Sequence, residues 1–504
     1  MASEPRPAAS RTDLQQTIWQ RRMNRLRGWL AVSCLALVAS TWKLWTPQTV
    51  FPQIPFLAAL RTAPAWLDWL ALALMLVALV AMLALSLINR CRPAPAGRDA
   101  NLALPTSDNA ISLPSPSGKG LGVGGQIGRD SASEANCPSE RTSSPSLLPR
   151  GHRGRNRKVA LLFVASLALL VLLDQHRFQP WAYQFGIVAI VLAFAPSGRG
   201  ASLLRVLTIG IYFWSAVSKL DDGFLRTTGP DLLRALFGVV GFEPPGIARL
   251  SLATLAWLLP LSELAVAILL SIRSTRAFGL GLAISMHLAL MLTLGPLGLR
   301  SAAGVLLWNI YFVGQDLVLF WKPARGWHGA AGETGGRLRL REFGAGVVPA
   351  VRTIGVEHIV VALAVWLPIL EPFGWFDHWP AWAVYAPRGE RVSLLLYMPA
   401  ERVPAELRKF LRHGGWDGHH VFRTDLWSLD ALKAPLYPQE RFRVGVALGF
   451  LNRYRIEDGE AGDYAVLVSK SRPMPHDWMP GTLAIRDYAG SFRLNALPRK
   501  LGGW

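Results

Sequence analysis

The chain has 504 residues, of which 51% are hydrophobic types and only 17% are charged. A soluble globular domain carries about 25% charged residues. Because the apolar residues here also stand in long runs, the composition excludes an ordinary soluble multidomain protein. The formal net charge is +20 at pH 7. No basic module interleaved with aromatic residues accompanies this charge, so we expect no nucleic-acid partner and assign the Lys and Arg residues to the ends of membrane spans.

Nine apolar runs predict membrane-spanning helices, which need about 20 apolar residues each to cross the hydrocarbon core. The predicted spans are residues 28–45, 66–88, 159–174, 181–196, 203–220, 250–271, 277–294, 304–320 and 356–370. The first run follows a basic lead and ends at Trp42, Lys43 and Trp45, which are typical interface anchors. This ending favours a retained helix over a cleaved signal peptide.

The basic residues are concentrated in alternate loops. Arg21, Arg22, Arg25 and Arg27 precede the first span. Arg199 and Arg205 lie between the fourth and fifth, and Arg273 and Arg276 lie between the sixth and seventh. Cytoplasmic loops carry this excess of Lys and Arg. The pattern predicts a cytoplasmic N-terminus and a C-terminal region outside, in what we expect to be a bacterial inner membrane.

The chain divides into five regions by composition. They are a cytoplasmic lead with two spans (1–89), a disordered Ser/Pro/Gly-rich linker (90–158), a transmembrane core (159–320), a basic loop with the last span (321–370) and a polar region (371–504). In the polar region, Val392–Tyr397, Phe442–Gly449 and Tyr464–Val468 predict strands and residues 405–411 predict a helix. The predicted fold class is an all-α polytopic membrane helix bundle with a small C-terminal α+β extramembrane domain.

The three cysteines, Cys34, Cys91 and Cys137, have no metal-ligand spacing, and no metal site is predicted.

Charged groups inside a membrane are costly, and each one suggests a functional site. Lys219 ends the fifth predicted span, Glu263 lies in the sixth and His287 in the seventh. Glu263 and His287 both fall near the midplane of helices that we expect to pack as an antiparallel pair, which predicts a hydrogen bond between them.

Structural roles compete with these functional ones. Lys219 could extend to water and pair with Asp221 or Asp222, and Glu263 with His287 could be a polar clamp between helices.

Further polar residues accompany these three. Tyr212, Tyr183 and Gln184 could line a cavity or join helices, and Asp174 lies at the same outer level as Lys219. We expect Tyr212 and Asp174 to contribute to binding. Asp316 and Lys43 are interpreted as interfacial residues.

Residues 159–320 carry three elements in a familiar order. They are an aromatic-rich helix ending in Lys-Leu before a polar loop (IYFWSAVSKLDDGFLRTTGPDLL), a helix with Glu before a basic turn (LSELAVAILLSIRSTR) and a helix with a central His (AISMHLALM). This region resembles the HTTM family, relatives of vitamin K-dependent γ-glutamyl carboxylase, and more distantly the DoxX and MauE membrane families. In place of the Trp and Gly that usually follow the family's lysine, this chain has Asp221-Asp222-Gly223-Phe224.

The resemblance implies that Lys219 acts as a base toward a hydroquinone, because a lysine removed from water loses its proton more readily. It makes a quinone the expected cofactor, but the polar region shows no match to the carboxylase's substrate-holding part. The leading hypothesis is therefore a membrane protein that holds a quinone-like lipid near the outer leaflet, with Lys219, Glu263 and His287 lining the pocket.

Two other function classes remain open. A non-catalytic scaffold would anchor residues 371–504 for an envelope protein partner, and the absence of a complete catalytic constellation favours it. A transporter is the third possibility, although no internal repeat supports it.

Overall fold

The computed structural model describes residues 11–91, 150–241, 249–321, 354–385, 391–414, 418–456, 464–470 and 477–501. The predicted linker falls largely outside these residues, as does most of the basic loop before the last span. Helix α4 begins at Arg150, so the end of the predicted linker is helical.

Long apolar helices form most of the described chain. The first twelve helices are α1 (Arg11–Ser40), α2 (Trp42–Trp45), α3 (Trp66–Cys91), α4 (Arg150–Leu173), α5 (Pro180–Phe194), α6 (Ser197–Lys219), α7 (Gly229–Val240), α8 (Arg249–Leu255), α9 (Leu258–Ser271), α10 (Arg276–Leu294), α11 (Ala303–Phe320) and α12 (Val356–Trp366). Over the described residues, seven helical segments are long and apolar enough to cross a membrane. The chain is therefore a multi-pass membrane protein, as its composition predicts.

Seven of the nine predicted spans coincide with these segments. They are Trp66–Arg90, Gly154–Leu173, Ser197–Lys219, Leu252–Ser271, Arg276–Leu294, Ala303–Phe320 and Val356–Phe373. The first predicted span lies in α1, whose 30 residues include a polar and basic first half. The fourth lies in α5, which is apolar but has only 15 residues. At 1.5 Å per residue, α5 extends about 22 Å, less than the roughly 30 Å of the hydrocarbon core.

Helix α1 packs along α3, α6 and α11. Its Trp29 indole donates a hydrogen bond to the Tyr311 carbonyl of α11 at 3.0 Å. A Cβ atom at Gly314 would lie 2.2 Å from the same indole nitrogen. Only a glycine at this position lets α11 approach the indole so closely.

A five-stranded antiparallel sheet follows the bundle. The strands are β1 (Arg391–Tyr397), β2 (Leu411–His413), β3 (His420–Phe422), β4 (Tyr464–Lys470) and β5 (Asp477–Pro480), in the order β2-β3-β1-β4-β5. In the central strand, Leu394 pairs with Phe422 on one side and with Leu467 on the other. The region also contains α13 (Thr424–Leu432), α14 (Glu440–Tyr454) and α15 (Gly481–Gly490).

The strand predictions are confirmed for the runs at Val392 and Tyr464. The prediction of a strand at Phe442–Gly449 is wrong, because this run lies inside α14. Almost every residue from Glu440 to Leu451 is buried. A helix that is buried all round lacks the 3.6-residue alternation that would distinguish it from a buried strand.

The C-terminal region packs directly on one end of the bundle, which we call the domain end. Helix α14 contacts β1 and β4, and its Gly445 and Gly449 approach Ile54 and Pro52 of the loop between α2 and α3. A single hydrophobic cluster includes both the bundle and this region. The C-terminal region is thus a layer on the bundle with a shared core.

Candidate functional site

Four polar side chains lie on one face of α6. Thr208, Tyr212, Ser215 and Lys219 are spaced at i, i+4, i+7 and i+11, which places them in one row along a helix. The row extends about 16 Å at 1.5 Å per residue. Each of these residues forms a hydrogen bond, so α6 carries a polar row through an otherwise apolar bundle.

At the domain end of the row, Lys219 forms a buried ion pair with Glu263 of α9. Its Nζ lies 2.9 Å from both carboxylate oxygens and donates to Ser215 Oγ at 2.6 Å. Lys219 is 4% exposed and Glu263 8%. The ammonium is therefore enclosed by acceptors from α6 and α9 and withdrawn from solvent.

About two turns deeper, Tyr212 connects three helices. Its hydroxyl donates to Asp316 Oδ2 of α11 at 2.5 Å and lies 2.8 Å from His287 Nε2 of α10. His287 Nδ1 lies 2.8 Å from Asn309 Oδ1, and the imidazole stacks on Phe312 with ring centroids 5.0 Å apart. Since the Tyr212 proton goes to Asp316, the imidazole must carry its proton either toward Tyr212 or toward Asn309.

Asp316 is the least satisfied group of this network. The residue is fully buried, and its Oδ1 has no hydrogen-bond partner among the described residues. A buried carboxylate oxygen without a partner is costly. In native proteins such a group is explained by strain, by a catalytic role or by a bound water or ion.

A second polar branch leaves the row at its other end. Gln315 donates to Thr208 Oγ1 at 2.9 Å and accepts from Gln184 at 3.2 Å. Gln184 in turn accepts from the Trp308 indole at 2.7 Å. All of these amide contacts run between helices. Gln184 therefore joins helices, which is one of the two roles that the sequence analysis considered for it.

Several sequence-based interpretations of these residues are corrected by the geometry. The expected Glu263–His287 hydrogen bond is not formed, because Glu263 bonds to Lys219 and His287 to Tyr212 and Asn309. Lys219 does not extend to solvent but is buried and pairs with Glu263, while Asp222 pairs with Arg226. Asp316 is not interfacial but wholly buried.

Asp174 lies apart from this network, in the loop that follows α4. Its Oδ1 accepts hydrogen bonds from the backbone amides of Ile54 and His176. Burial raises the pKa of Asp174 to about 6, against the lowering effect of Arg177. Burial lowers the pKa of His176 to about 4. This carboxyl holds two loops together at the domain end.

No pattern in the sequence indicated a second buried charge cluster near Asp174. Asp68 lies between Arg177, at 2.6 Å, and Arg499, at 2.7 Å, and all three side chains are fully buried. Arg499 also donates to the carbonyls of Ala63 and Pro64. The cluster fastens the end of the C-terminal region to the loops of the bundle. Only the long-range fold brings these residues together.

The row along α6 is chemically a set of acid–base groups within a membrane. An ammonium, two carboxylates, a phenol and an imidazole lie within two hydrogen-bonded networks on α6, α9, α10 and α11. No group of three or more His, Cys, Asp or Glu residues that could hold a metal ion occurs in the described part of the chain. The arrangement suits proton transfer and the binding of a ligand with a polar ring.

Comparisons of this chain with protein-family models, with curated proteins and with solved structures found no match.

Proposed function

We propose that this membrane protein binds a quinone-like lipid beside Lys219 and Glu263 near the outer leaflet, as its resemblance to the HTTM and carboxylase-like families implies. The observation that carries the proposal is the buried Lys219–Glu263 pair at the domain end of α6, 2.9 Å apart. Placing two charges in an apolar bundle costs several kcal/mol, which their attraction only partly offsets. A buried pair with this cost favours a functional role over a packing role.

The pairing favours a specific division of roles. In the resting ion pair the Glu263 carboxylate can accept a proton, whereas the Lys219 ammonium must first lose one. A hydroquinone hydroxyl would then give its proton to Glu263, and the phenolate that forms would be stabilised by the positive charge of Lys219. Tyr212 and His287, on the same side of α6 and on the adjacent α10, would line the deeper part of the pocket.

Lipid analysis of the purified full-length protein tests this function. The protein is extracted in mild detergent, and co-purifying lipids are identified by mass spectrometry for the wild type, Lys219→Met and the control Lys158→Met. Lys158 is exposed on α4. We expect a quinone in the wild type and in Lys158→Met and its loss in Lys219→Met. A quinone that is retained equally in all three, or is absent from all three, contradicts the proposal.

A scaffold is the second candidate function, and one observation favours it. The C-terminal region is held in a fixed orientation on the bundle by Arg499 and by Arg441, which pairs with Asp377 and donates to Gln175. A partner protein in the envelope would therefore meet a rigid surface. Its outermost strand β5 presents Trp478, 55% exposed.

Site-directed photo-crosslinking in cells tests the scaffold. A photoreactive residue at Trp478 should give one discrete crosslinked product, and the same residue at the exposed bundle position Ile359 should not. Equal or absent crosslinking at both positions argues against a partner at this surface.

The orientation is part of the proposal, with the N-terminus in the cytoplasm and the C-terminal region outside a bacterial inner membrane. The distribution of Lys and Arg supports it. In a chain whose three cysteines are replaced by serine, Ser491→Cys should react with an impermeant thiol reagent in intact cells. Ser202→Cys, at the opposite end of the bundle, should react only after lysis; the reverse result would invert the topology.

A further inference from the structure

A cavity of about 170 Å³ lies at the junction of the bundle and the C-terminal region. Trp181 of α5 and Trp308 of α11 contribute to its walls from the bundle. Trp379, Val384 and Tyr385 contribute from the segment after α12. None of Lys219, Glu263 and His287 lines it. We call this space the junction cavity.

The walls of the junction cavity offer ring faces more than hydrogen-bond donors. The indole nitrogen of Trp308 is already bonded to Gln184 Oε1 at 2.7 Å, and Trp181 packs against Trp45 with centroids 5.3 Å apart. A polar ligand would lose its water in this space without compensation. The lining therefore favours a hydrocarbon ligand over a polar one.

The one charged residue of the lining is Lys433. It adopts a left-handed backbone conformation at the end of α13, with φ of 56°. Its side chain is 62% exposed, and Nζ lies 3.8 Å from Asp430 Oδ1. The apolar walls of the cavity thus end at the Lys433 ammonium, which is exposed to water.

Positive charge exceeds negative charge around this ammonium. Asp430 also accepts from Lys409 at 2.7 Å, and Lys409, Lys433 and Lys43 together lower its pKa. Three lysines share one carboxylate, so the mouth of the cavity attracts anions. Trp42, next to Lys43, is exposed and suits a membrane–water interface.

We propose that the junction cavity binds the hydrocarbon end of an anionic phospholipid of the outer leaflet, with the lipid phosphate beside Lys433. Pockets that enclose a whole small ligand usually measure about 300–1,000 Å³. The smaller junction cavity accommodates a segment of one chain, while the remainder of the lipid stays in the bilayer. This lipid differs from the quinone-like ligand in both charge and position.

The test uses delipidated full-length protein in detergent, titrated with phosphatidylglycerol or with phosphatidylcholine of identical chains and measured by native mass spectrometry. Val384→Trp fills the cavity, and Val240→Trp is its control on exposed α7. Lys433→Glu reverses the charge at the mouth, and Lys500→Glu is its exposed control. Both tryptophan variants and Lys219→Met are first compared with the wild type by circular dichroism. If Val384→Trp does not fold, the lipid affinity of Lys433→Glu alone tests the proposal.

We expect one phosphatidylglycerol to bind more tightly than phosphatidylcholine. Val384→Trp should weaken it at least tenfold and Lys433→Glu about five- to tenfold, while both controls and Lys219→Met bind as the wild type. Three results would overturn the proposal: equal binding of the two lipids, unchanged binding in both Val384→Trp and Lys433→Glu, or inorganic phosphate that displaces the lipid completely. Loss of binding in Lys219→Met would assign the lipid to the α6 site instead.

Discussion

The Arg499 guanidinium and the Asp68 carboxylate form an ion pair of 2.7 Å in which neither side chain is exposed. The two residues come from opposite ends of the chain, and Arg177 completes the cluster on the other side of Asp68 at 2.6 Å. The loop after α4, the start of α3 and the end of the C-terminal region therefore meet at one carboxylate. This contact explains why bundle and C-terminal region share a core.

Removal of Arg499 should loosen the C-terminal region. Arg499→Met leaves Asp68 with Arg177 and the Gln53 amide. It also leaves the carbonyls of Ala63 and Pro64 without their donor, so we expect a loss of about 3 kcal/mol. Hydrogen exchange of the full-length protein should show faster exchange near residues 53–68 and 495–500. The control Arg493→Met, at an exposed position, should exchange as the wild type. Protection unchanged in Arg499→Met would mean that the ion pair does not hold the region in place.

Lys219 and Glu263 should show strong coupling in a double-mutant cycle. Either Lys219→Met or Glu263→Met alone leaves a buried charge without its partner, which costs about 3–5 kcal/mol. The double variant buries no charge and should be more stable than either single variant. Thermal unfolding in detergent measures all four proteins. Additive losses would show that the two side chains do not stabilise each other.

Tyr212→Phe should destabilise the bundle although it removes only one oxygen atom. Asp316 would lose its remaining partner and His287 would lose one of two, at an expected cost of about 1–3 kcal/mol. Tyr183→Phe is the matched control, because the Tyr183 ring makes aromatic contacts and its hydroxyl has no bond to the described residues. The two variants are compared by thermal unfolding. Equal midpoints for both would contradict the network around Tyr212.

The pH dependence of stability should reveal two opposing groups in the loop after α4. His176 has a pKa lowered from 6.5 to about 4, so the unfolded chain binds its proton first and acidification below pH 6.5 destabilises the fold. Asp174 has a pKa raised from 3.8 to about 6, so the folded chain binds its proton first and acidification below pH 6 stabilises the fold. The two contributions nearly cancel in the wild type between pH 6 and 4.

Single variants should separate these contributions. Asp174→Asn leaves His176 alone, and stability should fall by up to about 3 kcal/mol from pH 6.5 to 4. His176→Phe leaves Asp174 alone, and stability should rise over the same acidification. Thermal midpoints relative to the wild type at each pH measure the difference. Parallel pH profiles in all three proteins would show that neither residue titrates as described.

Local sequence determined the membrane character of this protein. A helix must cross about 30 Å of hydrocarbon with its backbone bonds satisfied internally. The requirement fixes length and composition within one segment, and seven predicted spans coincide with helices that are long and apolar enough to cross a membrane. The polar row on α6 follows in the same way, because the spacing of Tyr212, Ser215 and Lys219 places them on one helical face.

The partners of those polar residues were decided by the tertiary structure. Whether Glu263 meets Lys219 or His287 depends on how α9 is rotated and displaced against α6 and α10, and depth along each helix does not specify this. The buried state of Asp316 and the Asp68–Arg177–Arg499 cluster likewise depend on contacts between residues far apart in the chain. The burial of α14 between sheet and bundle also removed the periodicity that would have identified it as a helix. Charge pairing inside this protein is a property of helix packing, since a buried charge is stabilised by whichever partner the fold brings within hydrogen-bond distance.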